Sequence, residues 1–216
     1  MPASSWWLPA VAAAGISAAA IGLYVGRDAR ETTHPAAVAG PLQPNQSKDR
    51  LALDPRQQEE ARRSGAWLHD ILSLLRVDRP MRYGQFVWND KGVPPGDIWI
   101  RVDLRTQLMS VFRGGHEIGT AVVLYGADEK ETPLGTFPIL WKKKDHVSSL
   151  YDAPMPYTLR LTNDGVAIHG SDVRWGAATH GCVGVPKEFA SHLFAVADVG
   201  DNVLIVRTAA PSPKKA

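Results

Sequence analysis

The chain has 216 residues, a formal net charge of +2 and a hydrophobic fraction of 44%. This length suits one globular domain with attachments, and the composition is apolar enough to form a core, which excludes a largely disordered chain. The small net charge gives no whole-chain argument for nucleic-acid binding, and we expect no nucleic-acid partner.

The N-terminal residues 6–26 carry no charged side chain and are rich in Ala, Ile, Leu and Val. About 20 apolar residues, rising about 1.5 Å each, cross a hydrocarbon core of about 30 Å. We therefore predict a single transmembrane anchor within residues 1–27. A cleaved signal peptide is the alternative, but its apolar region is usually only about 7–15 residues long. Arg27 and Arg30 follow the run, so charge alone leaves the orientation open.

Between the anchor and the remainder, the polar, proline-containing residues 28–50 predict a flexible linker. Asp54 is a candidate helix N-cap and Pro55 suits the first helical position. Apolar side chains then recur at helical spacing at Leu68, Ile71, Leu72 and Leu75. We predict an amphipathic helix over residues 55–76 that packs on the following domain, within a helical or extended segment at residues 51–94.

From residue 97 the hydrophobic period changes to two, which is typical of half-buried strands. Strands are predicted at residues 98–103, 107–112, 118–125, 135–141, 158–161, 166–169 and 203–206. Gly114-Gly115 predicts a hairpin, residues 163–165 predict a turn, and Pro186 predicts the start of a short helix. The domain at residues 95–208 is therefore predicted to be mainly β, and residues 209–216 form a basic tail.

The single cysteine, Cys182, follows Thr179-His180-Gly181, and His169-Gly170 precedes this motif by about ten residues. An imidazole beside a thiol can accept its proton and generate the nucleophilic thiolate. A glycine before the sulfur lets a substrate carbonyl approach main-chain N–H groups. A small buried hydrophobe is the alternative role for a free cysteine, but the polar neighbours disfavour it. One cysteine also excludes an intrachain disulfide framework.

The chain resembles the catalytic domain of YkuD-type L,D-transpeptidases over roughly residues 97–207. The landmarks that carry the resemblance occur in the family's order: Val102-Asp103-Leu104, residues 132–137, Met155-Pro156-Tyr157, Ile168-His169-Gly170 and residues 179–183. The resemblance implies a β-sandwich or barrel with a short helix after the catalytic cysteine. It also implies a cysteine acyltransferase that acts on peptidoglycan stem peptides, without a cofactor or a metal.

The resemblance also assigns roles to the motif residues. Cys182 is expected to attack the bond between the third and fourth residues of a tetrapeptide stem, and His169 to accept and later donate the proton. The Gly170 carbonyl orients His169, while His180 and Gly181 lie in the oxyanion region. The acyl group then passes to an amine on a second stem or to water. The catalytic domain of such an anchored enzyme is expected on the periplasmic or wall side of the inner (cytoplasmic) membrane.

Four further residues are candidates for substrate binding. Thr179 lies beside the catalytic motif. Tyr157 is a candidate cleft wall, with a core aromatic as an equal alternative. Arg174 is placed to meet a stem-peptide carboxylate, although an ordinary exposed arginine is the simpler interpretation. Ser149 belongs to a loop with His146 that forms part of the acceptor side or a plain surface loop.

One departure from the family stands out, because Gly184 occupies a position where Arg or Asn is common. This leaves a wall-binding pseudoenzyme of the same fold open. An L,D-carboxypeptidase that hydrolyses the same bond is also open, because no residue decides whether an amine or water resolves the thioester. A thiol peptidase of another fold is disfavoured by the ordered β landmarks. A metal site of Cys182, His180 and His169 is disfavoured because no further cysteine exists and the spacing matches no structural zinc pattern.

Overall fold

The computed structural model describes residues 48–126, 130–149 and 152–209. The strands are, in chain order, β1 (Arg50–Ala52), β2 (Ser73–Leu75), β3 (Phe86–Trp88), β4 (Ile98–Asp103), β5 (Leu108–Arg113), β6 (His116–Val122), β7 (Gly135–Pro138), β8 (Trp141–Lys143), β9 (Thr158–Arg160), β10 (Ala167–Ser171), β11 (Val183–Pro186) and β12 (Asn202–Val206). The helices are α1 (Pro55–Ser64) and α2 (Lys187–Val196). The mainly β fold class predicted from the sequence is confirmed.

The predicted transmembrane anchor, nearly all of the linker and most of the basic tail lie outside the described residues. Within the part of the chain that the structure describes, neither helix has the length and apolar character needed to cross a bilayer.

The strands form two sheets that share one hydrophobic core with α2. The eight-stranded sheet has the order β1-β2-β6-β5-β4-β12-β7, with β3 also paired to β6, and the four-stranded sheet has the order β11-β10-β9-β8. The shared core includes Ile100 and Val111 from the larger sheet, Leu159 and Ile168 from the smaller sheet, and Phe189 from α2. All five are at most 1% exposed, so both sheets place an apolar face against the same core.

The predicted strands are largely confirmed, and the hairpin joins β5 to β6 as expected. Gly114 and Gly115 both have positive φ, at 53° and 89°, a conformation that glycine adopts at little cost. The predicted strand at 135–141 is instead divided. Ile139 donates its N–H to Asp201 at 2.9 Å and Leu140 donates to Arg160 at 2.7 Å, because the chain passes here from the larger sheet to the smaller one.

The prediction of one helix over residues 55–76 is wrong beyond Ser64. The start is as expected, since the Asp54 carboxylate accepts from the Arg56 and Gln57 N–H groups and completes a capping box. The helix ends at Gly65, whose φ of 63° lies in the left-handed region that commonly terminates helices.

The leucine-rich residues after this helix are extended because other strands bind their main chain. Leu72 donates its N–H to Gly115 at 2.8 Å, and β2 pairs with both β1 and β6. These long-range bonds override the helical spacing of the side chains. Ile71 and Leu75 are nevertheless buried, so the apolar run does pack on the following domain.

The start of a helix at Pro186 is confirmed, but a strand that the sequence did not predict precedes it. Strand β11 follows Cys182 directly and runs parallel to β10. Val183 and Val185 are fully buried on this strand, which fixes the cysteine at the edge of a rigid element. Helix α2 then packs on β10 and β11 through Phe189 and Leu193.

Candidate active site

The register of the smaller sheet places His169 and Cys182 on the same face. Ile168 is paired with Val183, so Cys182 stands opposite Ala167, one position before the first pair. Paired residues project to the same side of a sheet, and so do residues two apart on one strand. Cys182, Ala167 and His169 therefore share the face opposite the core-facing Ile168 and Val183. The strand that sequence reasoning missed is the element that brings the two catalytic candidates together.

This face opens into a cavity of about 680 Å³ that contains both His169 and Cys182. The other lining residues are Lys130, His146, Ser148, Ser149, Ala153, Pro154, Met155, Arg160, Asn163, Asp164, Gly165, Ser171, Ala178, Thr179 and His180. The lining combines apolar side chains with polar and charged groups, which can orient a polar substrate. Among the described residues, no three His, Cys, Asp or Glu side chains are grouped so that they could hold a metal ion.

The His169 ring is fixed by its own neighbour in the chain. Its Nδ1 lies 3.0 Å from the Gly170 carbonyl oxygen, and a carbonyl only accepts hydrogen bonds. In the neutral ring the proton is therefore on Nδ1, and Nε2 has a free lone pair. Burial lowers the pKa of His169; the bond to Gly170 acts in the opposite direction, and the charge of His146 lowers it further. The arrangement favours a neutral imidazole that can act as a base.

The Cys182 thiol lies against the turn at residues 163–165. Its Sγ–H donates to the Gly165 carbonyl at 3.6 Å. Burial raises the pKa of Cys182, while the Ala167 main-chain N–H and the charges of Arg160 and Lys130 lower it in part. With the pKa of His169 lowered as well, burial favours a neutral thiol and a neutral imidazole. A thiol in this state has to lose its proton to act as a nucleophile.

The loop that carries Cys182 is held by hydroxyl groups on both sides. Thr179 donates its N–H to the Tyr125 carbonyl at 3.1 Å, and its hydroxyl donates to the Cys182 carbonyl. The buried Thr132 hydroxyl donates to the Gly181 carbonyl at 3.0 Å and accepts the Gly126 N–H at 2.9 Å. These bonds fix the main chain immediately before the nucleophile.

Sequence reasoning did not identify Thr132 or Gly126 as parts of the site. The available signal was the position of Thr132 at the start of the recognised landmark at residues 132–137. Gly126 is required by close approach, since a Cβ on it would lie 2.5 Å from the Gly181 nitrogen. Gly181 itself has a φ of 96°, which favours glycine at this position.

Of the candidate substrate residues, Ser149 and Thr179 line the cavity, as do His180 and His146 from the neighbouring loops. Tyr157 lies elsewhere: its ring packs edge-on against Phe194 at 5.8 Å and against the core, so the structure favours the core aromatic over the cleft wall. Its backbone explains this placement, because the N–H donates to Lys144 at 2.7 Å and φ is 57°.

Arg174 is also outside the lining of the cavity. Its side chain is 75% exposed and forms a surface ion pair with Asp172 at 3.6 Å. Loop residue Trp175 beside it is 82% exposed and packs edge-on against Tyr83 at 5.5 Å. The short loop after β10 therefore directs these side chains away from the sulfur.

The cavity contains cations that the sequence analysis did not single out. Lys130 pairs with Asp164 at 3.2 Å, and Arg160 lines the same wall. The only sequence signal for Arg160 was its position at the end of a predicted strand, next to the predicted turn.

Gly184 lies inside β11, opposite His169 in the register. A Cβ at this position would lie 3.0 Å from the Ser171 Cβ and 3.3 Å from its Oγ. Gly184 also exchanges main-chain hydrogen bonds with Leu124, at 2.8 and 2.9 Å. A longer side chain here would have to displace Ser171, which lines the cavity. The absence of a side chain at Gly184 therefore allows Ser171 to occupy its position.

A mainly β fold that joins a cysteine to a main-chain-oriented histidine defines a candidate cysteine-nucleophile enzyme. A family model described as the L,D-transpeptidase catalytic domain, YkuD, matches residues 97–205. The chain belongs to this family. No curated protein matches the sequence.

Solved L,D-transpeptidases show partial similarity to the chain. The enzyme from Stackebrandtia nassauensis is 27% identical, with a TM-score of 0.47, and the match covers 51% of this chain and 57% of that one. A mutant of the Enterococcus faecium enzyme is 26% identical, with a TM-score of 0.47 and coverage of 51% and 50%. The match thus spans 50–57% of the length of these structures.

Proposed function

We propose that this protein is an L,D-transpeptidase that transfers an acyl group from a peptidoglycan tetrapeptide stem through a thioester on Cys182. The observation that carries the proposal is the shared sheet face of His169 and Cys182, with Nδ1 of the histidine committed to the Gly170 carbonyl. This leaves Nε2 as the proton acceptor in the cavity that holds the thiol.

In the first step, the Cys182 sulfur attacks the carbonyl of the third stem residue while His169 Nε2 takes the thiol proton. A bond forms between sulfur and carbon, and the carbonyl oxygen becomes an oxyanion. Main-chain N–H groups near Gly181 and Cys182 are the proposed donors to this oxyanion, and one such donor contributes about 3 kcal/mol in related chemistry. Collapse breaks the carbon–nitrogen bond, and His169 returns the proton to the departing D-amino acid.

In the second step, an amine attacks the thioester and loses a proton to His169 as a carbon–nitrogen bond forms. The carbon–sulfur bond then breaks, and His169 returns the proton to the Cys182 sulfur. A side-chain amine on a second stem gives a cross-link, whereas water gives an L,D-carboxypeptidase product. Both outcomes use the same residues. Ser149, Thr179 and His180 line the cavity in which the acceptor must approach.

The uncharged residues 6–26 further suggest that the enzyme is anchored in the inner (cytoplasmic) membrane, with its catalytic domain on the periplasmic or wall side. Cell fractionation of the full chain tests this point. Recovery in the membrane fraction, resistant to alkaline extraction but released by detergent, supports an anchor. Recovery in the soluble fraction contradicts it.

Intact-mass spectrometry tests the chemistry directly. The full chain is exposed briefly to a disaccharide tetrapeptide, and we expect a mass gain equal to the donor minus the released D-amino acid. The matched control is Cys182→Ala, which should gain no mass. A folded wild-type chain that forms neither adduct nor product would favour the wall-binding pseudoenzyme. Gly184 is the sequence feature that supports this alternative.

A further inference from the structure

Arg160 is a cation in the active-site cavity that forms no ion pair with any carboxylate in the part of the chain that the structure describes. Its Nε donates to the Thr162 carbonyl at 2.7 Å and its Nη2 donates to the Asn163 carbonyl at 3.1 Å. A guanidinium has five N–H donors, so three remain after these two bonds. No described carboxylate forms an ion pair with Arg160; the nearby Asp164 pairs with Lys130 instead.

The two carbonyl bonds hold the guanidinium in a defined place close to the nucleophile. They tie it to the turn at residues 163–165, and the Gly165 carbonyl of this turn accepts the Cys182 thiol. A Cβ on Gly165 would lie 3.9 Å from both Nη atoms of Arg160. The Trp141 ring lies 5.7 Å from the guanidinium and supports its other side.

The register of the sheet aligns Arg160 with the nucleophile. Trp141 is paired with Arg160, and Arg160 with Ala167, while Cys182 stands opposite Ala167. Two strand spacings therefore separate the main chains at Arg160 and Cys182, or about 10 Å. Ala167 is fully buried between these two positions, and Arg160, Gly165 and Cys182 all line the cavity.

The distance between Arg160 and Cys182 suits the terminal D-amino acid of a donor peptide, which is the part that leaves. When the scissile carbonyl is at the sulfur, the terminal carboxylate of the next residue lies about 3.5 Å further along the chain. Arg160 projects from the same sheet face as Cys182 and lines the same cavity, where its long side chain can meet a carboxylate. Arginine binds carboxylates with two parallel hydrogen bonds, and three of its donors are available here.

We propose that Arg160 binds the terminal carboxylate of the donor, so that the site selects stems whose scissile bond lies one residue from a free C-terminus. The inference rests on the proposed function and names the feature of the substrate that the site recognises. Arg174, the arginine that the sequence suggested for a carboxylate, lies outside the cavity lining and is paired with Asp172.

Binding measured on a protein that lacks the thiol separates carboxylate binding by Arg160 from any effect of Arg160 on Cys182. Titration calorimetry on the full-length Cys182→Ala protein compares the disaccharide tetrapeptide with its C-terminal carboxamide. We expect the free acid to bind about tenfold more tightly, because the amide loses a charge-assisted bond. Adding Arg160→Gln should weaken the acid about tenfold and leave the amide unchanged. Arg174→Gln is the matched control and should change neither affinity.

Arg160→Lys keeps the charge but loses the two-bond geometry, so it should recover part of the preference for the acid. Equal binding of the acid and the amide by the Cys182→Ala protein would overturn the inference. This comparison does not depend on the folding of an Arg160 variant, because Arg160 is unchanged in it. Equal weakening of both ligands by Arg160→Gln would also overturn it, since it would indicate a disturbed turn. No binding of either ligand counts against it as well.

The outcomes separate this inference from the proposed function. A wild-type adduct together with equal binding of acid and amide leaves the transpeptidase proposal standing and removes the role of Arg160. Selective binding of the acid without any adduct supports the role of Arg160 and counts against the transpeptidase proposal.

Discussion

Arg101 in the larger sheet and Arg160 in the smaller sheet have different surroundings. In the larger sheet, the buried Arg101 pairs with Asp103 at 3.2 Å, and the Thr208 hydroxyl donates to the same carboxylate at 2.7 Å. In the smaller sheet, Arg160 faces a cavity and donates to the Thr162 and Asn163 carbonyls. Arg101 thus belongs to a buried ion pair, whereas Arg160 lies where a ligand can reach it.

The same contrast appears at the two buried histidines that take part in hydrogen bonds. His116 in β6 lies 2.9 Å from the Ser73 hydroxyl and links β6 to β2. His169 in β10 bonds through one ring nitrogen to its neighbouring carbonyl and lines the cavity. We therefore expect substitutions in the larger sheet to change stability and those on the outer face of the smaller sheet to change activity.

The largest expected effect on activity is that of His169→Ala. Without the base, the neutral thiol has no acceptor for its proton, and the rate of acylation should fall by about 10³-fold or more. The melting temperature should change little. Stopped-flow mass spectrometry of the thioester measures the rate, and His69→Ala, at an exposed position, is the control. Acylation at an undiminished rate would refute the assignment of the base.

The corresponding change in the larger sheet is Arg50→Ala. Arg50 is 3% exposed and donates to the main-chain carbonyls of Glu117 and Asn89, joining β1 to the sheet. Leaving these carbonyls without donors should cost about 3 kcal/mol in the free energy of unfolding, with little change in the activity of the folded fraction. Denaturant unfolding measures this cost. Arg63→Ala, at a surface ion pair, should cost less than about 0.5 kcal/mol.

Thr132→Val tests the link between the sheets, because the hydroxyl bonds to Gly126 and to the Gly181 carbonyl before the nucleophile. The nearly isosteric valine removes both bonds, so we expect a loss of stability of about 1–3 kcal/mol and a fall in acylation rate of about tenfold. Thr106→Val, on an exposed turn, should change neither. A loss of stability without any loss of rate would show that Thr132 does not position the loop.

The smallest effect is expected in the pH dependence. Burial lowers the pKa of His169, so the base stays neutral to a lower pH than an ordinary histidine. The acid limb of kcat/KM should therefore fall below the usual histidine value of about 6.5. Initial rates measured from acidic to neutral pH locate this limb. A limb above the usual value would contradict the neutral pair.

Local signals identified the motif residues and the hairpin, whereas long-range pairing between strands could not be predicted from them. Cys182 and His169 were identified from a short motif, and the hairpin at Gly114-Gly115 from two glycines, because each depends on adjacent residues. The path of residues 65–76 could not be predicted, since its main chain bonds to Gly115, far away in the sequence. Helical spacing of leucines does not reveal such a partner.

The role of Arg160 was hidden for a related reason. Its neighbours across the sheet are Trp141 and Ala167, and no sequence spacing indicates that these positions align with Cys182. Tyr157 shows the opposite case, in which a recognised landmark suggested a cleft position but the ring packs on Phe194. Motifs identify residue types, whereas register decides which way they face.

The raised pKa of the Cys182 thiol affects how readily the sulfur is oxidised. Peroxides react with thiolates, and the raised pKa of Cys182 keeps the thiolate fraction small. The chain has no second cysteine to form an internal disulfide. In the proposed mechanism the sulfur becomes reactive when a carbonyl is in position and His169 removes the proton. The burial that raises the pKa of the thiol would then also protect the sulfur from irreversible oxidation.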